Sequence, residues 1–218
     1  MQSQKNIAKI MQALEKRYKF HKKPTVRRTS ESENPFKTLI SCLLSLRSQD
    51  VNTAKTSKAL FAVADTPEKI IKLPQKQLEK LIYSSGYYRN KAKTIKHVSK
   101  VILEKYKGGV PDKKEELLSI KGIGPKTANI VLCFSYGQIV IPVDSHVHIV
   151  SNRLGIVSAK TPEKTELELM KVMPKRYWKE INTLFILFGK DICLSISPLC
   201  SKCIFKNICP KIGIKRSR

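Results

Sequence analysis

Three stretches of this 218-residue chain hold residue types at spacings that could do chemistry. The first is IKGIGPKTANIV, residues 120–131, where Gly122 and Gly124 flank Ile123 and are followed at once by Pro125 and Lys126. Glycine takes positive φ freely and presents backbone N–H groups with no Cβ in the way. Such a turn running into a helix N-terminus makes a seat for phosphate that ignores base sequence. Lys126 falls on the first turn of the helix that Pro125 opens, where the helix dipole disfavours a cation. The same field favours the neutral amine, whose lone pair can attack carbon and form a Schiff base. A lysine that only touches phosphate fits this segment equally well, and both roles stay open on these residues alone.

The second stretch is VDSHVHIVSNRLG, residues 143–155. Asp144 stands between a short run that looks extended, QIVIPV, and a helical pattern of Val147, Val150 and Leu154. Taken alone it is an N-cap. His146 and His148 are two apart, do not share a helix face, and make a poor metal pair. The third stretch holds Cys193, Cys200, Cys203 and Cys209, spaced C-x6-C-x2-C-x5-C. Disulfides do not suit a chain that reads as intracellular. Structural zinc usually shows two C-x2-C pairs, and here there is one. Four thiolates on a compact loop suit a cubane iron–sulfur cluster, [4Fe–4S], with zinc as the alternative. Cys42 and Cys133 sit in apolar helical faces and are expected in the core.

The elements that position these residues are helical. Phe36, Leu39, Ile40, Leu43 and Leu44 form one face, opened by Asn34 and Pro35. Asp50 is expected to cap the next helix. TPEKIIKL and PQKQLEKLI each place a proline at a helix start, with Gly86 expected to close the second. Ile95, Val98, Ile102 and Tyr106 mark another, ended by Gly108 and Gly109. Thr161-Pro162-Glu163 starts a further helix, and Ile181, Leu184, Phe185 and Phe188 line a late one expected to stop at Gly189. The pattern predicts an all-α protein of roughly ten helices with short loops.

Charge narrows the partner. Lys and Arg number 42 against 17 Asp and Glu, a formal +25 with pI near 9.9. Such a surface draws in polyanions, and nucleic acid leads because no amphipathic basic helix suggests a membrane. Residues 16–28 carry seven basic residues and no acid, and residues 193–218 carry six and no acid. The final KIGIKRSR is expected to be a frayed tail. No apolar run is long enough for a membrane span, and the start lacks a signal-peptide core, so a soluble, intracellular, cytoplasmic and nucleoid-associated monomer is expected.

Together these pieces resemble the endonuclease III family of DNA repair glycosylases. The likeness runs from NPFKTLISCLLS through GYYRNKA, IKGIGPKTANIV and PVDSHVHIVSNRLG to the four-cysteine loop, in matching order and spacing. It implies two helical lobes with DNA bent across the cleft. One is a six-helix barrel over about residues 29–137, ending in a helix-hairpin-helix. The other joins residues 1–28 to 138–218 around a [4Fe–4S] cluster on the four cysteines. It further implies Lys126 as the catalytic amine, Asp144 as the cleft carboxylate, and the Gly122–Ile123–Gly124 backbone on phosphate. The implied activity is that of a bifunctional DNA glycosylase with AP-lyase chemistry on double-stranded DNA carrying an oxidised or ring-saturated pyrimidine or an abasic site. Rival functions are a mismatch glycosylase of the same superfamily, whose members usually lack an amine at the position of Lys126, and a non-catalytic DNA-binding or redox-sensing protein.

Departures from the family pattern are specific. Arg47 stands where many relatives have a glutamine that fills the gap left by a flipped base, with Gln49 two residues on. Tyr87 matches an apolar wedge position, with core packing as its alternative. Ile149 replaces a common arginine, and LSISPL lacks the basic residues relatives often set against DNA, for which Lys190, Lys202 and Lys206 could substitute.

Overall fold

The structure is a computed structural model that describes residues 2–31 and 34–218. Helical periodicity becomes twelve α-helices among the described residues, with no strand. In the first half they are α1 (Gln4–Tyr18), α2 (Thr25–Ser30), α3 (Pro35–Ser45), α4 (Asp50–Val63), α5 (Pro67–Lys72) and α6 (Gln75–Leu81). Then come α7 (Tyr88–Tyr106), α8 (Lys114–Ser119), α9 (Pro125–Ser135), α10 (Ser145–Arg153), α11 (Pro162–Val172) and α12 (Glu180–Asp191). The count exceeds the expected ten, and α2, six residues long, is too short to show a period. Among the described residues no helix is long and apolar enough to cross a membrane.

The chain divides into two units, one of Met1–Lys23 with Ile139–Arg218 and one of Pro24–Gln138. The Pro24–Gln138 unit is built around α3, which packs on α2, α4, α7 and α9. Eight of its eleven residues are buried, Leu39, Ile40 and Leu44 completely. Asn34 caps it through Lys37 N at 3.0 Å, with Pro35 following. Ile95, Val98 and Ile102 of α7 are likewise fully buried, and that helix ends with Lys107 and Gly108 both at positive φ. In the other unit, Ile7, Ile10, Met11 and Leu14 of α1 pack with Val147 and Val150 of α10 and with Phe185 and Phe188 of α12. Burying each such side chain contributes about 1.5–3 kcal/mol, so these apolar faces fix where the helices lie.

Several local expectations are corrected. The cap of α4 is Gln49, and Asp50 instead lies in its first turn, with Oδ1 accepting from Thr25 N at 2.9 Å. Helix α6 ends at Leu81, before Gly86, whose place is explained below. Helix α12 runs through Gly189 to Asp191. A Cβ at 189 would lie 2.4 Å from His146 Nδ1, so the glycine makes room for a neighbour and does not end the helix. QIVIPV forms no ladder among the described residues; it is a loop with Ile141 and Val143 buried and Asn182 Nδ2 donating to Pro142 O at 3.0 Å. The expected frayed tail is tied down. Arg218 N donates to Pro198 O at 2.8 Å and Ser201 N donates to Arg218 O at 3.1 Å.

Candidate functional site

Within the Pro24–Gln138 unit, α8 and α9 face each other across the turn 120–124. Ile123 plugs into the unit at 6% exposure, while Gly122 and Gly124 face outward. Gly122 has φ +103, and a Cβ there would sit 2.5 Å from Thr94 Cγ2 on α7. Gly124 caps α9 in an extended conformation, with no side-chain cap among the described residues and nothing within 4 Å of a would-be Cβ. Its lack of a side chain leaves the backbone open to approach from outside. Lys126 follows two residues later in the first turn of α9, half-buried. It is close enough to α3 to be felt by the Cys42 thiol, which burial pushes up to about 12 with Lys126 opposing. Cys42 and Cys133 are both buried, as expected of core thiols.

On the same unit, Arg47 and Tyr87 come together although forty residues separate them. The Arg47 guanidinium lies over the Tyr87 ring, 5.6 Å from its centroid. Both residues adopt left-handed backbone, with φ 49 and 59. Tyr87 is 63% exposed, which rules out core packing as its role. Gly86 allows the two loops to touch, because a Cβ there would meet Arg47 O at 2.7 Å. Gln49 is exposed at the start of α4.

In the other unit, Asp144 is 9% exposed and caps α10, its Oδ1 accepting from Val147 N at 2.9 Å. His146 packs against Gly189, and His148 Nδ1 lies 2.7 Å from Thr165 Oγ1 on α11. The far end of α10 carries a residue to which the sequence assigned no role. Arg153, 8% exposed, donates to the carbonyls of Leu194 and Ser195 at 2.7 Å each and of Cys193 at 3.3 Å, with its Nη1 also 3.6 Å from Cys193 Sγ. One helix therefore begins at Asp144 and ends gripping the cysteine loop. An arginine in a helical run gives no sign of this, since its partners are carbonyls some forty residues away.

All four cysteines line one pocket, with Leu154, Phe188, Ile192, Pro198 and Ile214. Among the described residues no three His, Cys, Asp or Glu side chains converge as a single metal ion would require. Four thiols around one pocket are a donor set that an iron–sulfur cluster can use. Backbone N–H groups point at the sulfurs, from Phe205 to Cys203 Sγ and from Lys211 to Cys209 Sγ, both 3.4 Å. Burial pushes the thiols of Cys193, Cys203 and Cys209 upward, against the lowering hydrogen bonds from Arg153, Phe205 N–H and Lys211 N–H respectively. Lys190, Lys202 and Lys206 are exposed.

The family described as HhH-GPD superfamily base excision DNA repair protein matches residues 40–175. Endonuclease III of Thermotoga maritima is 47% identical over 182 residues, covering 84% of this chain and 85% of its own. Endonuclease III of Bacillus subtilis is 38% identical over 186 residues, with coverage of 85% and 84%. A solved non-covalent endonuclease III–DNA complex superposes with a TM-score of 0.84 at 33% identity, covering 97% of both chains. A thermostable thymine-DNA glycosylase shares the fold, with a TM-score of 0.81 at 22% identity.

Proposed function

The chain belongs to the endonuclease III family, within the HhH-GPD superfamily of base excision DNA repair proteins, and on that premise we propose that it is a bifunctional DNA glycosylase and AP lyase acting on oxidised or ring-saturated pyrimidines in double-stranded DNA. The observation that carries this is the placement of Lys126 in the first turn of α9, directly behind an exposed glycine turn whose helix end has no side-chain cap among the described residues. Backbone N–H groups there take the phosphates, leaving the amine beside the sugar.

The target nucleotide must leave the stack before its C1′ can be reached. Lys126 Nζ then attacks C1′ and gives up a proton to Asp144, and the base departs with the glycosidic electron pair and takes up a proton in exchange. Opening of the sugar ring gives an imine between Nζ and C1′. That imine acidifies the C2′ proton, whose loss expels the 3′ phosphate and cuts the strand. Asp144 is the carboxylate that stabilises positive charge developing on the sugar and accepts the amine's proton. Arg47, Gln49 and Tyr87 are the side chains that meet DNA beside the flipped nucleotide.

Cys193, Cys200, Cys203 and Cys209 would hold a [4Fe–4S] cluster. The fit rests on their common pocket and on the N–H groups aimed at two of the sulfurs. Bound there, the cluster supplies four iron–thiolate bonds that staple the loop from 193 to 209.

Covalent trapping tests the chemistry. Borohydride added to enzyme and abasic-site DNA should reduce the imine to a stable protein–DNA adduct whose peptide maps to Lys126. Lys126→Gln should abolish adduct and strand cutting with duplex binding nearly intact. Asp144→Asn should still form some adduct while base release slows by orders of magnitude, on the order of 10²–10³-fold. An adduct that survives in Lys126→Gln would overturn the assignment.

A further inference from the structure

Lysines are rarely buried without an acid to pair with. Lys91, in the first turn of α7, is only 7% exposed, and burial pushes its ammonium down to about 8. Its Nζ donates to Leu44 O and to Ser85 Oγ, each at 2.7 Å, and Ser85 Oγ in turn donates to Leu44 O at 2.9 Å. Leu44 lies in the last turn of α3, where carbonyls have no partner inside the helix. From that point the chain leaves for Leu46 and Arg47. Ser85 stands just before Gly86 and Tyr87. One ammonium thus clasps both chain segments at the place where each departs for an exposed residue.

We propose that Lys91 is a positioning residue that sets Arg47 and Tyr87 in the mutual geometry needed to engage the DNA gap beside a flipped nucleotide, an inference that rests on the DNA-facing role proposed for those two side chains. Arg47 and Tyr87 are both in left-handed backbone, which is strained for a residue bearing a Cβ. Such strain persists only when the surroundings over-determine it. Both side chains face solvent, so core packing does not supply that constraint. The Lys91 clasp beneath, and the contact that only a glycine at 86 allows with Arg47 O, do supply it. The result is a guanidinium laid over a phenol ring, 5.6 Å from its centroid, on a surface otherwise made of two independent loops. That pair offers a flat face for stacking and hydrogen-bond donors at its edge. Lys91 Nζ donates to Leu44 O and Ser85 Oγ, beneath the two exposed side chains, so it acts on them through the backbone that carries them.

The variant Lys91→Met keeps the length of the side chain and removes the donors. Two dissociation constants are measured by fluorescence anisotropy, for an undamaged duplex and for the same duplex with one tetrahydrofuran abasic analogue. Binding to the undamaged duplex should stay within about twofold, while the preference for the abasic duplex falls about tenfold, the size of a typical coupling between contacting groups. In an Arg47→Ala, Tyr87→Ala background, Lys91→Met should lower the preference no further, because nothing remains to be positioned. Equal loss on both duplexes, or a loss that multiplies in that background, would show a role in stability alone and overturn the proposal. If thermal unfolding shows that Lys91→Met does not fold, Ser85→Ala carries the same comparison with a smaller loss expected in the same direction, and an unchanged preference there overturns it. Failure of the wild-type protein to form a borohydride adduct would strike the proposed function; a wild type that traps normally, beside a Lys91→Met protein of undiminished preference, strikes only this inference.

Discussion

Gly122 and Gly124 stand two residues apart in one turn and are glycine for different reasons. At 122 the fold requires it, because φ is +103 and any Cβ would press on Thr94 of α7. At 124 the fold does not require it, since φ is ordinary and the space is open. The substitutions should therefore separate. Gly122→Val is expected to cost about 2–4 kcal/mol, from positive φ and steric overlap together, and to lower the midpoint of thermal unfolding. Gly124→Val should leave that midpoint close to wild type and weaken binding to every duplex by about tenfold, the worth of a charge-assisted backbone contact. A Gly124→Val protein that binds normally would remove the phosphate seat from the mechanism.

At the scale of the element, α10 and α12 act as a pair. Gly189 lies in the interior of α12, where alanine normally stabilises a helix by about 1 kcal/mol. Here the new methyl would lie 2.4 Å from His146 Nδ1 on α10, two residues beyond Asp144. Gly189→Ala should therefore destabilise, by about 1–3 kcal/mol for an overpacked contact. It should also slow base release, because His146 cannot retreat without moving the first turn of α10. Adding His146→Ala removes the clash, and the double variant should recover most of the lost stability in urea unfolding. Additive losses would show that the two helices do not meet through this contact. The other end of α10 is held by Arg153 on three carbonyls of the cysteine loop.

At the scale of the whole molecule, +25 on 218 residues governs how the protein meets DNA. The affinity for undamaged duplex should fall steeply with salt, by ~0.9 in log K per decade of salt for each phosphate neutralised. Titration between 50 and 200 mM should give a slope corresponding to several contacts, and a flat line would mean that the charge has another purpose. The cysteine pocket makes a second molecular prediction. Protein purified without chelator should contain about four iron and four sulfide per chain. Stoichiometric zinc without sulfide would exclude the cluster. Cys203→Ala should lose iron and unfold at lower temperature, since ligation contributes directly to folding.

Residue type and local spacing alone determined the helical class, the glycine turn ahead of Lys126, Asp144 as an N-cap, and the grouping of four cysteines that line one pocket. Each is written within a few residues, where periodicity, caps and turn chemistry act. What failed in the sequence were readings that gave a residue a local cause when its cause was distant. Gly86 and Gly189 looked like helix stops and are glycine because Arg47 and His146 approach them from other elements. Asp50 looked like a cap and instead receives an N–H from Thr25, twenty-five residues away. KIGIKRSR looked free and is pinned through Arg218 to the cysteine loop. The pairing of Arg47 with Tyr87, the Lys91 clasp beneath them and the grip of Arg153 were decided only by tertiary structure. Their partners are backbone oxygens and ring faces, groups that nearly every residue carries, and only packing selects which of them meet.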